Sequence, residues 1–151
     1  MNQTRRDALK TTGAFATLVS LGIVTQSQAH AALERASFEV KNLADALKAL
    51  GGTPANSDQV TVVAPDIAEN GAVVPIGASS KLANTTDIFL IVEKNPMPLC
   101  AAFGIPAGTL PEVSTRLKMG QSSNVIAVVK ADGKLFSATK ETKVTLGGCG
   151  G

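Results

Sequence analysis

The sequence has no tryptophan and no tyrosine, and only one histidine and two cysteines among its 151 residues. Each shortage excludes something. Aromatic rings on which bases could stack are scarce, so nucleic-acid binding has little support. The one histidine, His30, falls in a segment read below as a removable leader. A chain without it has no Ser-His or Cys-His pair, no histidine-ligated zinc or copper site and no histidine proton shuttle. Strong charge is also missing: the formal net charge is +2, and no basic face is implied.

The leader carries that small excess. "TRRDALK", Thr4 to Lys10, sets Arg5 and Arg6 ahead of a mildly apolar run, Thr11 to Val24, and Ala29-His30-Ala31 forms an A-x-A cleavage site. A membrane-spanning helix needs about 20 strongly apolar residues; this run is shorter and dotted with Thr and Ser. Residues 1–31 therefore read as a twin-arginine signal peptide and the protein as a periplasmic one, with no membrane attachment after cleavage. That route carries folded cargo, so a bound partner without its own signal could travel with it. Cleavage leaves 11 of the 14 basic and 11 of the 12 acidic residues, a near-neutral chain of one compact domain, residues 32–146.

That domain opens on a helical spacing. Val40, Leu43, Leu47 and Leu50 recur at three- and four-residue steps, Ser37 can cap the start, and Gly51-Gly52 stops the run. "TPANSD", Thr53 to Asp58, reads as a linker. The period then changes to strands: Gln59–Pro65, Ala72–Ser79, Asp87–Lys94, Leu99–Gly104, Ser114–Met119, Asn124–Ala131 and Lys134–Leu146, separated by Glu69-Asn70-Gly71, Asn95-Pro96, Pro106-Ala107-Gly108 and Asp132-Gly133. Asp132-Gly133 predicts a two-residue type I′ hairpin. The fold class is mainly β, an antiparallel sandwich with an N-terminal amphipathic helix. Ile88–Val92 and Val125–Val129 are apolar almost without interruption, so both faces of those strands want cover. The helix suits one face. A partner subunit could take the other, or these are simply central strands under the helix.

Cys100 and Cys149 remain. An even count in an oxidising compartment suggests a disulfide. Yet Cys149 stands between Gly147, Gly148, Gly150 and Gly151, which lend conformational freedom and no bulk. Residues 147–151 thus read as a flexible swinging arm whose thiol can enter narrow channels. Counted from Leu146 the sulfur lies roughly 10 Å from the fold, or nearer 20 Å if Val144 and Thr145 peel away as well. An ordinary thiol has a pKa of about 8.5 and is only a few per cent thiolate at neutral pH; the slight pull of Lys140 and Lys143 toward thiolate is limited by Glu141 and solvent screening. With no base to act on a substrate, the chain reads as a passenger in catalysis, not an enzyme, with no metal and no cofactor.

These residues resemble one family. "PDIAENGAVVPI" (Pro65 to Ile76), "EKNPMPL" (Glu93 to Leu99), "STRLKM" (Ser114 to Met119), "VVKADGKLF" (Val128 to Phe136) and above all "KVTLGGCGG" (Lys143 to Gly151) are similar to the SoxY family of sulfur carriers in periplasmic thiosulfate oxidation. The resemblance implies an immunoglobulin-like sandwich paired with a SoxZ-like subunit. It implies Cys149 as the covalent attachment point for thiosulfate-derived sulfur, a haem-containing SoxAX-like enzyme that joins thiosulfate to the thiol, and a SoxB-like hydrolase that then releases sulfate. Cys100 departs from the family pattern, where a small aliphatic residue is more usual, and reads as a small buried hydrophobe; exposed near the arm, it could trap Cys149 as a disulfide. Two other readings stand beside the carrier: an exported immunoglobulin-like interaction module dimerised through Cys149, and a thiol oxidoreductase, which lacks a C-x-x-C.

Overall fold

The computed structural model describes residues 37–145. The segments holding Arg5, Arg6, Ala29 and Ala31, and the arm Gly147, Gly148, Cys149, Gly150 and Gly151, lie outside the described residues. Helix α1 spans Leu43–Leu50, followed by strands β1 (Ala55–Asn56), β2 (Val60–Val63), β3 (Ile67–Ala68), β4 (Val74–Ser80), β5 (Thr85–Val92), β6 (Leu99–Gly104), β7 (Glu112–Leu117), β8 (Ser123–Ala131) and β9 (Lys134–Val144). The large sheet runs β1-β9-β8-β5-β6, with β3 also on β9; the small sheet runs β2-β4-β7. The long pairings are antiparallel, which makes an immunoglobulin-like sandwich.

Several sequence expectations shift at their edges. The helix starts six residues after Ser37, which is itself buried. Asn42 is the cap: its backbone is extended and its side chain accepts from the Asp45 N–H at 2.8 Å. An amide oxygen in that position satisfies a first-turn donor that no helical carbonyl reaches. Gly51 ends the helix at φ 125°, donating to Lys48 and followed by Gly52 N–H donating to Leu47 O. The Thr53–Asp58 linker holds β1, which pairs with β9 in parallel, as does β3; the sandwich is therefore not wholly antiparallel. Asp132 (φ 49°) and Gly133 (φ 72°) form the I′ turn between β8 and β9, with Ala131 opposite Lys134.

The apolar runs in β5 and β8 find both covers inside the chain. Ile88, Leu90 and Val92 of β5 and Val125, Ala127 and Val129 of β8 meet Val60, Val74, Ile76, Ala78 and Leu117 of the small sheet. On the other face, Phe89, Ile91 and Val128 meet Leu43, Leu47 and Leu50 of α1 together with Phe38. Successive strand residues point to opposite faces, so an unbroken apolar run is what a strand under two layers requires. These strands need no partner subunit to bury them.

Candidate functional site

The residues that deliver the chain to Cys149 are those at the far end of β9. Beside them runs the segment Ala64–Glu69. Along β9 the positions Phe136, Ala138 and Val144 pack toward the core, but Lys140 and Thr142, on the same inward face by strand alternation, are polar. The segment Ala64–Glu69 explains them. Lys140 Nζ donates to Ala64 O at 2.6 Å and pairs with Asp66 at 3.0 Å; Thr142, fully buried, donates its hydroxyl to Pro65 O at 2.9 Å. A loop laid over a sheet leaves carbonyls that must find donors, and these two side chains supply them.

Beyond Thr142 the β8 ladder has ended, since its last rung is Ser123 opposite Thr142. Ser122 continues it with a side chain: its Oγ accepts from Val144 N–H at 2.9 Å. On the other edge, Lys143 N–H donates to Asp66 O at 2.9 Å and Thr145 N–H to Ala68 O at 3.1 Å, the rungs of the parallel pairing of β3 with β9. Gly71 closes the arrangement. Its carbonyl accepts from Met119 N–H at 2.7 Å, and a Cβ there would overlap Met119 O and stand 2.8 Å from Val144 Cγ1. Glycine is required here by close approach.

This corrects one expectation about reach and sets a cost on another. The last strand stops at Val144, not Leu146, and peeling Val144 and Thr145 away breaks bonds on both edges. Sequence reasoning missed Ser122 and Thr142, and read Gly71 only as a turn residue. The polar interruption of β9's inward alternation at Lys140 and Thr142 was the available signal.

Cys100 sits on β6 where the pairing with β5 shifts register between Leu90 and Ile91. It is free and half-buried against the core. Its Sγ lies 3.3 Å from Pro98 O, as donor, and 3.5 Å from Asn95 Nδ2. Burial pushes the Cys100 thiol above its usual pKa, only partly offset by the hydrogen bonds from Asn95 and the Val92 backbone. An inert packed thiol is the result, in keeping with the small-hydrophobe reading. Asn95 serves a second purpose: Nδ2 donates to Lys118 O at 2.7 Å and Oδ1 accepts from Gly120 N–H at 3.3 Å, which ties the β5–β6 turn to the loop that carries Ser122.

Among the described residues no group of three or more His, Cys, Asp or Glu side chains is placed to hold a metal, and no helix is long and apolar enough to cross a membrane. A depression of 340 Å³ at the other end of the large sheet is lined by Leu82, Thr85, Ile105, Pro106 and Thr109 among others, without a titratable side chain. It offers no ionisable acid or base.

The family model for the sulfur oxidation protein SoxY matches residues 46–149. The solved sulfur carrier protein SoxY from Chlorobium limicola f thiosulfatophilum is 38% identical with a TM-score of 0.61, the alignment covering 68% of this chain and 94% of that one. A superoxide reductase (neelaredoxin) from Ignicoccus hospitalis, 21% identical with a TM-score of 0.51 over 58% of this chain and 80% of its own, shares the fold alone. No curated protein matches the sequence significantly. The family model's match over residues 46–149, with a sandwich aligned over 68% of the chain to a sulfur carrier, places this chain in the SoxY family of sulfur oxidation proteins.

Proposed function

We propose that this SoxY-family chain carries its sulfur covalently on Cys149 and presents it to separate enzymes, without turning over substrate itself. The supporting observation is that the family match runs to residue 149, so the thiol belongs to the matched region. The glycines around it suit an arm that must enter more than one active site. Cys100 is a poor competitor, because a desolvated thiol forms little thiolate and the thiolate is the nucleophile.

The chemistry balances as follows. The Cys149 thiol loses its proton and joins the terminal sulfur of thiosulfate, and two electrons leave to a SoxAX-like haem enzyme, giving a cysteine S-thiosulfonate. A SoxB-like hydrolase adds water across the bond to the sulfonate sulfur; sulfate and two protons leave, and a persulfide remains on Cys149. Attachment keeps that persulfide from diffusing between catalysts. A SoxZ-like subunit completes a heterodimer, and export through Arg5-Arg6 and cleavage near Ala29-His30-Ala31 deliver the folded pair to the periplasm.

Intact-protein and peptide mass spectrometry of the exported chain tests this reading. Thiosulfate-derived mass on the Cys149 peptide, absent in Cys149→Ser while SoxZ-like binding persists, is the expected result. Unmodified Cys149 found only in disulfide-linked dimers overturns it in favour of the interaction module. Thiosulfate-dependent sulfate formation undiminished in Cys149→Ser overturns it as well.

A further inference from the structure

The end of β9 is fastened more heavily than a strand terminus needs. Strand ends ordinarily fray, and a tail meant only to be mobile gains nothing from ordered residues before it. Here Val144 N–H is taken by Ser122 Oγ at 2.9 Å, while the Lys143 and Thr145 amides are taken by Asp66 and Ala68 carbonyls at 2.9 and 3.1 Å. The Thr145 hydroxyl adds longer contacts of 3.4 Å to the Ala68 and Glu69 carbonyls. The Ala64–Glu69 segment that supplies these acceptors is itself held by Lys140 and by fully buried Thr142. The Ser122 edge of β9 is thus occupied through Val144 and the β3 edge through Thr145.

We propose that Ser122 and the segment Asp66–Ala68 are positioning residues, a clamp that holds the chain as far as Thr145 and so limits how far Cys149 can reach. This rests on the carrier reading of Cys149. Four peptide steps separate Thr145 from Cys149, and at roughly 3.3–3.6 Å each they extend to about 13–14 Å. An enzyme acting on Cys149 must therefore seat its rim beside Thr145, where Ile67 stands 59% exposed opposite Lys143. The clamp makes presentation a matter of defined depth. For a glycine-rich tether the mean span grows as the square root of its length, so releasing residues 143–145 widens the Cys149 distribution by about one-third.

Two measurements on the full chain test the clamp. In a Cys100→Ala background, spin labels on Cys149 and on Lys134→Cys report the distance distribution, and hydrogen exchange reports the amides of residues 143–145. Ser122→Ala combined with Thr145→Pro removes the partner of Val144 N–H and the Thr145 donor. It leaves Lys143 N–H on Asp66 O, so it is expected to broaden the distribution by about one-fifth and to raise exchange at Val144. Thr145→Ala keeps its N–H and should leave both unchanged. An unaltered distribution in the double variant, or unprotected amides in the parent, overturns the proposal. The second arm is functional: deleting Gly147 and Gly148 shortens the tether by about 7 Å and should cut the rate of thiosulfate loading at least tenfold. Clamp release should restore loading. A shortened arm that stays equally poor after release refutes the clamp, even where the Cys149→Ser result upholds the carrier.

Discussion

The centre of the large sheet and the far end of β9 are built on different physics. In β5 and β8 the side chains Ile88, Leu90, Ile91, Val125 and Val128 are fully buried, and their strands are joined rung by rung through the backbone. At the end of β9 the ladder is completed by one hydroxyl, a short parallel strap and a glycine that admits a close contact. Apolar burial is non-directional and spread over many atoms, whereas hydrogen bonds from single side chains are directional and separately removable. The first region therefore governs whether the chain folds. The second governs where the chain beyond Thr145 begins.

Substitutions can break or sharpen that contrast. Leu90→Ala, at a fully buried site between the sheets, should cost about 2–5 kcal/mol in urea unfolding; a loss under 1 kcal/mol would show that the centre is not the seat of stability. Gly71→Ala comes next. Its methyl group must displace Met119 or Val144, at about 1–3 kcal/mol, and should raise exchange at Val144 before it alters the far hairpin. Uniform loss of protection across β8 and β9 would mean the two regions unfold as one. Asn42→Ala, which removes the helix cap, should cost about 1 kcal/mol and leave residues 143–145 untouched. Asp66→Asn should cost no more than about 1 kcal/mol, because the Asp66 and Lys140 side chains are 87% and 39% exposed; the segment is held chiefly by carbonyls, and a larger loss would assign that task to the ion pair.

The smallest expected effect concerns pH. The folded state holds the Cys100 proton more tightly than the unfolded chain because burial raises the thiol pKa. In the alkaline window between those two values the unfolded state binds fewer protons, so stability is intact below the ordinary cysteine range near pH 8.5 and falls as pH rises through it. Cys100→Ala should flatten that alkaline limb. Slow alkylation of Cys100 beside fast alkylation of Cys149 at pH 8 would agree, and equal rates would contradict the buried-thiol account.

Much of the fold was legible because its signals are local. β-branched runs, turn dipeptides and the Gly51-Gly52 stop each act within a few residues, and the Asp132-Gly133 hairpin follows from backbone sterics alone. Ser37 and Asn42 are both acceptable cap residue types, and local pattern alone did not separate them; Asn42 takes the position. The β1 and β3 pairings were not legible, since two-residue strands carry no period. Ser122 and Gly71 escaped for the same reason: their partners lie 22 and 48 or more residues away.

By itself the sequence determined the alternation of strands and turns, the small charge, the single histidine, and the placing of one cysteine among glycines. Those are properties of composition and of neighbours along the chain. Only the tertiary structure decided that α1 and the small sheet cover both faces of β5 and β8, that Cys100 is a packed thiol, and that the chain is gripped up to Thr145. Each of these depends on which distant residues meet, and contact across a sandwich is set by the packing of layers, which no local pattern encodes.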